Sequence, residues 1–277
     1  MSTSMEQRNL LWVLLVACIG FAVSHEVIWS RPRVRVEQEM RVALPPTVQL
    51  VVAGGDRYLA ANIAIFRAVT VGVFQLQPDT YRALAEVQVS AAVLNPRHED
   101  NYYTAAAILP WNGQYDAAQD VLQRATDARK NDALPPFFHG FDRFQFKQDF
   151  SGAASDMMVA AQRSDPGNRA ALNAIAAKWL ERGEDPQFAL RVVRSMAESS
   201  RNKDLKRLLE ARVVRLEGLI ALRDAATRYQ DQHGHPPPTL DALVKDRLIK
   251  SIPVDPFGLG YQLDPRGKPM LTEKKQG

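Results

Sequence analysis

Five histidines are the first place to look for chemistry in this chain: His25, His98, His139, His233 and His235. His139 and Asp142 lie three residues apart. On a helix that spacing puts both on one face, as an acid/base dyad would need. A polar pair in a helical groove has the same spacing and is the commoner case. His233 and His235 flank Gly234 and would suit a metal, but no further ligand stands near them in the sequence. A protein zinc site takes three or four ligands. Asp255 and Asp264 fall in two separate turns, short of the six to eight oxygens that calcium takes. The single cysteine, Cys18, sits inside an apolar stretch, so no intramolecular disulfide can form. There is no GxSxG, no GxGxxG, and no Walker spacing after Gly54 and Gly55. The chain therefore reads as a non-enzyme without catalytic residues, metal or cofactor, whose work is recognition.

The elements that must position recognition residues show in residues 99–197. A short pattern recurs there: a turn or aromatic pair, two alanines, a helical apolar stripe and a break. The copies read GQYDAAQDVLQRA, KQDFSGAASDMMVAA and, more weakly, ERGEDPQFALRVV. Tyr115 and Phe150 are 35 residues apart, and Phe150 and Asp185 are again 35 apart. A period near 34 with two helices per unit marks a helical repeat array. These residues resemble the tetratricopeptide repeat (TPR). Ala118, Ala125, Ala153 and Ala160 are the small residues that would let paired helices approach, with Tyr115 and Phe150 filling the corner. A half-unit over residues 81–94, closed by Asn95 and Pro96, precedes the first full copy. Pro110 should end or kink the first helix of copy one. Copy three has Asp185 and Pro186 where the corner aromatic would stand.

The resemblance implies a groove lined by the first helix of each repeat. Carried over residue by residue, it places Tyr103, Ala107 and Trp111 there from copy one. Copy two contributes Phe138, Asp142, Gln145 and Phe146, and copy three Asn173. Aromatic area with a few polar groups suits an extended peptide or a helix of a partner protein.

The net charge is +4, from 35 basic and 31 acidic residues spread along the chain. Without a basic stripe interleaved with aromatics, nucleic acid is not an expected partner.

Residues 10–23 are uncharged and almost wholly apolar, with Arg8 before them. Fourteen residues are short for a span, which needs about 20. Three readings compete. A signal anchor would run on through Val27, Ile28 and Trp29. A cleaved signal peptide would use Ala22, Val23 and Ser24 as its small-residue site. A lipoprotein signal would use Leu15, Val16, Ala17 and Cys18, although the apolar run continues past Cys18. All three place the body outside the bacterial cytoplasm. Arg31, Arg33, Arg35 and Arg41 argue the opposite way by the positive-inside rule. The expectation is a single-pass bacterial inner-membrane protein, attached through its N-terminal segment, with a periplasmic body.

Residues 31–55 read as a linker that ends in Gly54 and Gly55. Asp56 can cap a helix from Arg57 to about Val73, with Leu59, Ile63, Phe66 and Val69 at helical spacing. Residues 203–232 form one long amphipathic helix, ended by Gly234 and three prolines. Thr239 can cap a short helix over residues 240–246. Asp255, Pro256, Phe257 and Gly258 make a turn. Residues 261–263 and 269–271 can pair as strands across Asp264, Pro265, Arg266 and Gly267.

The stretch from Tyr229 through the DPFG turn and hairpin is similar to the post-helix segment of type II secretion pseudopilins. The pilin cleavage glycine and glutamate are missing from their expected places. The chain as a whole also resembles a bacterial group that combines an N-terminal membrane segment, a few such repeats and this hairpin. The expected fold is all-α: a TPR-like array of helical hairpins with an N-terminal membrane segment and a small C-terminal β-hairpin cap. Its expected divisions are 1–30 (anchor or signal), 31–55 (linker), 56–200 (repeats) and 201–277 (long helix and hairpin cap). The expected function is a membrane-tethered scaffold for protein–protein interaction in an envelope assembly such as pilus, secretion or polysaccharide export. The alternative is an envelope enzyme or regulatory subunit with a small ligand in the groove.

Overall fold

Helix-terminating residues and buried alanines account for most of what the computed structural model contains. It describes residues 3–30, 42–70 and 78–273, with the side chains of residues 12–25 in the first stretch. The expected linker over residues 31–41 and the expected helix end near Val73 lie outside the described residues. The chain divides into two units, Met1–Glu39 and Met40–Gly277.

The first unit holds one helix, α1 (Thr3–Ser30). A single helix cannot bury its own side chains, and the described ones are all exposed. Among the described residues no helix is long and apolar enough to cross a membrane. The anchor expected from the sequence draws on side chains beyond that described stretch.

The second unit is mostly helical, as expected. In chain order come α2 (Pro46–Val52), α3 (Arg57–Thr70), α4 (Pro78–Leu94), α5 (Glu99–Ile108), α6 (Tyr115–Ala128) and α7 (Leu134–Asp142). They are followed by α8 (Phe150–Gln162), α9 (Pro166–Leu180), α10 (Pro186–Ser199), α11 (Lys203–His233) and α12 (Leu240–Lys245). A hairpin follows, of β1 (Tyr261–Leu263) antiparallel to β2 (Pro269–Leu271), with Tyr261 opposite Leu271.

The starts are set by side chains that accept orphan N–H groups, each worth about 1 kcal/mol. Asp56 accepts from Tyr58 and Leu59. Asp149, Asp165, Asp185, Asn202 and Thr239 cap α8 to α12 in turn. Asp185 thus caps α10 where copy three lacks its aromatic. Short loops make neighbouring helices antiparallel. Within the unit α3 packs on α4, α5 on α6, α7 on α8, α9 on α10 and α10 on α11.

Small residues set how closely these pairs approach. Ala118, Ala153 and Ala160 are fully buried. A Cβ on Gly140 of α7 would lie 2.8 Å from the Ala153 carbonyl oxygen and 2.9 Å from Asp156 Cβ. The two backbones are therefore almost in contact, and only glycine fits.

Two large cores result. The first joins α3 to α6 around Leu84, Tyr102, Leu109 and Leu122. The second joins α8 to α11 around Met157, Trp179, Leu180, Leu209 and Leu216. Helix α7 lies between them, giving Phe138 to the first and Phe137 to the second. Because α11 shares the second core, packing continues unbroken through residue 200. A third core joins Leu222, Ala226 and Tyr229 of α11 to Leu243 of α12.

Three local details bear on the surface these helices present. The stripe Leu59, Ile63, Phe66 and Val69 of α3 faces outward, and Phe66 is 71% exposed. The buried face is instead Ala60, Ala61, Ala64, Ile65 and Ala68, because small side chains let a neighbouring helix come close. Helix α5 stops at Ile108, and Pro110 opens a separate 3₁₀ turn, Pro110–Asn112, so of its two expected effects the proline ends the helix. Helix α7 passes into a π turn, Arg143–Lys147, which ends at Gln148 with φ 54°. Such turns widen a helix locally and often mark functional surface.

Candidate functional site

The eight groove residues divide by accessibility. Ala107, Trp111 and Gln145 are exposed, whereas Tyr103, Phe138, Phe146 and Asn173 are half-buried. Tyr103 of α5 meets Phe138 of α7 edge-on, with ring centres 5.7 Å apart. Trp111 meets Phe146 edge-on at 4.8 Å. Helices α5 and α7 therefore touch through the first aromatic pair, and the 3₁₀ and π turns that follow them touch through the second. Trp111 remains 58% exposed.

Asp142 is 1% exposed and its Oδ2 has no hydrogen-bond partner among the described residues. Burial pushes its carboxyl up to about 7, against a smaller opposing effect of Gln119. His139 does not pair with Asp142. Its Nδ1 lies 2.8 Å from Asp156 Oδ2, and Arg143 Nη1 lies 3.4 Å from the same oxygen. This trio braces α7 against α8 and leaves no dyad.

The other chemical candidates are also claimed by structural contacts. His233 stacks on Tyr229 and its Nε2 lies 2.7 Å from Asp246 Oδ2. Asp255 accepts from the N–H groups of Phe257, Leu259 and Gly260, so it organises the DPFG turn. Asp264 accepts from the N–H groups of Arg266 and Lys268 in the hairpin turn. Among the described residues no three His, Cys, Asp or Glu side chains gather as a metal site would require.

A second site was not anticipated. A cleft of about 1360 Å³ opens between the π turn, the end of α9, the middle of α11 and the hairpin. Of the eight groove residues, Gln145 reaches its wall. Its base is a buried ion cluster. Glu181 at the end of α9 takes Arg212 and Arg215 of α11, the latter at 3.3 Å. Arg215 also lies 3.2 Å from Asp255. Burial pushes the Glu181 carboxyl up, more than the two guanidinium groups pull it down.

Two aromatic rings, Phe257 and Phe144, stand beside the arginines. Arg212 and Arg215 lie 5.2 and 5.6 Å from the Phe257 ring centre. Across the cleft Arg182 lies 5.3 Å from Phe144, which itself stacks on Trp179 at 4.5 Å. A guanidinium fixed on a ring keeps its fork of donors aimed in one direction. Spacing could not reveal this site, because Glu181, Arg212 and Asp255 come from three distant elements. The one visible signal was the DPFG turn, whose Asp255 and Phe257 both serve the cluster.

Chemically, both surfaces can bind and orient but neither presents a nucleophile beside a base. Set against protein-family models, curated proteins and solved structures, the chain matches none.

Proposed function

We propose that this chain is a membrane-tethered, TPR-like scaffold that binds a protein or peptide partner within a bacterial envelope assembly. The observation that carries this reading is the pair of aromatic contacts, Tyr103 with Phe138 and Trp111 with Phe146, that joins α5 to α7 and the turns that follow them at the surface. Half-exposed rings in a row supply binding area at low entropy cost. Support for the repeat comes from the helix starts. Tyr115, Phe150 and Pro186 begin α6, α8 and α10 at intervals of 35 and 36 residues. Support for the tether comes from the apolar run over residues 10–23. The similarity of the C-terminal segment to pseudopilins favours a secretion or pilus setting among envelope assemblies.

The test is crosslinking in the native host followed by mass spectrometry, repeated with Tyr103→Ala and Phe138→Ala. The expected result is one dominant envelope partner, with binding weakened by about 1–3 kcal/mol in the variants while the fold is kept. Recovery of no partner, or recovery that both variants leave unchanged, would refute the reading.

A further inference from the structure

From the cleft beside α11 we infer that the partner's recognised segment is an acidic peptide, held there by carboxylate side chains. The inference rests on the scaffold reading and adds the site and the chemistry of the partner.

Charge is the first argument. The walls carry Lys178, Arg182, Arg212, Arg215 and Arg223 against Glu181 and Glu273. Five cations face these two carboxylates and Asp255, which pairs with Arg215 at 3.2 Å. Glu181 is committed to the two buried arginines at the base. Lys178 has no carboxylate within ion-pair distance among the described residues and is exposed. Arg223 donates to the carbonyl oxygens of Pro269 and Glu184, which positions its guanidinium at the wall, where Asp264, Glu184 and Asp185 act on it without a direct ion pair. A cleft with excess positive charge and partly apolar walls favours an anion that is also partly apolar.

Unfinished hydrogen bonding is the second. Arg212 Nε and Glu181 Oε1 are buried with no hydrogen-bond partner among the described residues. A buried donor without an acceptor is costly. Arg212 lines the open cleft, so an acceptor that enters lies beside its guanidinium.

The chain itself supplies the third. Glu273, two residues past β2, reaches over the rim and places Oε2 2.6 Å from Arg182 Nη2. This carboxylate belongs to an exposed side chain of an end segment. It occupies Arg182 as a ligand carboxylate would, and an acidic partner must displace it.

Size and lining select a peptide over a small anion. About 1360 Å³ exceeds the usual range for small-molecule pockets. Phe150, Leu219, Leu259 and Met270 line the cleft between the cations, matching a segment in which acidic and apolar side chains alternate.

The experiment uses the full chain in nanodiscs and a fluorescein-labelled dodecapeptide of alternating Glu and Leu, read by anisotropy. Its controls are the same peptide with Gln for every Glu, and inorganic phosphate as competitor. Thermal melts establish that each variant is folded. The Glu peptide is expected to bind at least tenfold more tightly than the Gln peptide, and to weaken as salt rises. Lys178→Glu should weaken it about tenfold, and Glu273→Gln should tighten it several-fold. Equal binding of both peptides, or affinity indifferent to both variants, overturns the inference. So does displacement by micromolar phosphate, which would make the cleft a phosphate site. If the Gln peptide binds and Tyr103→Ala weakens it while Lys178→Glu does not, this site falls and the scaffold stands. If neither peptide binds while crosslinking still recovers a partner, the site again falls without the scaffold. The scaffold falls by its own test alone, when crosslinking recovers no partner or when Tyr103→Ala and Phe138→Ala leave that recovery unchanged.

Discussion

Arg215 of α11 donates from Nη2 to the carbonyl oxygen of Thr272 at 2.7 Å, and Tyr261 returns a hydrogen bond from its hydroxyl to the Arg215 carbonyl at 3.1 Å. One residue of the long helix thus holds β1 and the residue that follows β2. Gly218, one turn further on, leaves room for the Tyr261 ring, which a Cβ there would strike. Truncation after Lys250 removes Asp255, Phe257, Tyr261 and Thr272 together. It uncovers Leu219 and leaves Arg215 with Glu181 alone. The truncated chain is expected to aggregate, as solenoids do without an end cap. Size-exclusion chromatography beside the full chain checks this, and equal monomeric yield would contradict it.

Glu181→Gln tests the ion cluster. The carboxylate is buried between Arg212 and Arg215. Removing its charge leaves Arg212 without a carboxylate partner and Arg215 with Asp255 only. Breaking a buried pair by deleting one partner costs about 3–5 kcal/mol. Urea unfolding should show a loss of that size. A loss below about 1 kcal/mol would mean that solvent reaches the cluster.

Gly140→Ala and Ala153→Phe both probe the contact of α7 with α8. The alanine Cβ has backbone, not a movable side chain, 2.8 Å away. Overpacking of this kind costs about 1–3 kcal/mol, so thermal unfolding should move down in both variants. An unchanged Tm for either would argue against close backbone packing here.

Much of this architecture was legible in the sequence, because its determinants are local. Capping residues at Asp56 and Thr239, the Gly234 stop and the hairpin turn all act within a few residues, and each element lies where those signals put it. The orientation of α3 was not legible. Its large apolar stripe has helical spacing, but the alanine face is the one that packs. Periodicity shows that a face exists, while close approach decides which face is buried. The groove aromatics were visible as types at repeat spacing. Asp142 was visible too, yet its burial depends on how Gln119 of α6 meets α7. The cleft stayed hidden because its arginines look like an ordinary solvated helix face until Glu181 and Phe257 arrive from elsewhere.

Attachment and topology have a direct test. A reporter active only outside the cytoplasm, fused after Gly277, is expected to be active. Activity of a cytoplasmic reporter there instead would reverse the topology, in line with the arginines that follow α1. Cys18→Ala separates the modes of attachment, since precursor accumulation or release from the membrane would identify a lipid-modified cysteine.

Asp142 gives the fold a specific pH dependence. In the unfolded chain an aspartate titrates near pH 3.9. In the fold, burial raises this carboxyl to about 7. Between those values the folded form binds more proton than the unfolded form. Stability therefore falls as pH rises through that window, and the penalty is complete above pH 7. Asp142→Asn removes the titration and keeps a polar group of the same shape facing Gln119. The variant should match the parent near pH 4 and exceed it by on the order of 2–4 kcal/mol above pH 7. Glu181 titrates in both proteins and cancels in the difference. Melting curves from pH 4 to 8 provide the measurement. A difference that stays constant across the range would show that Asp142 is ionised in the fold, and that its burial is relieved by contacts other than those seen here.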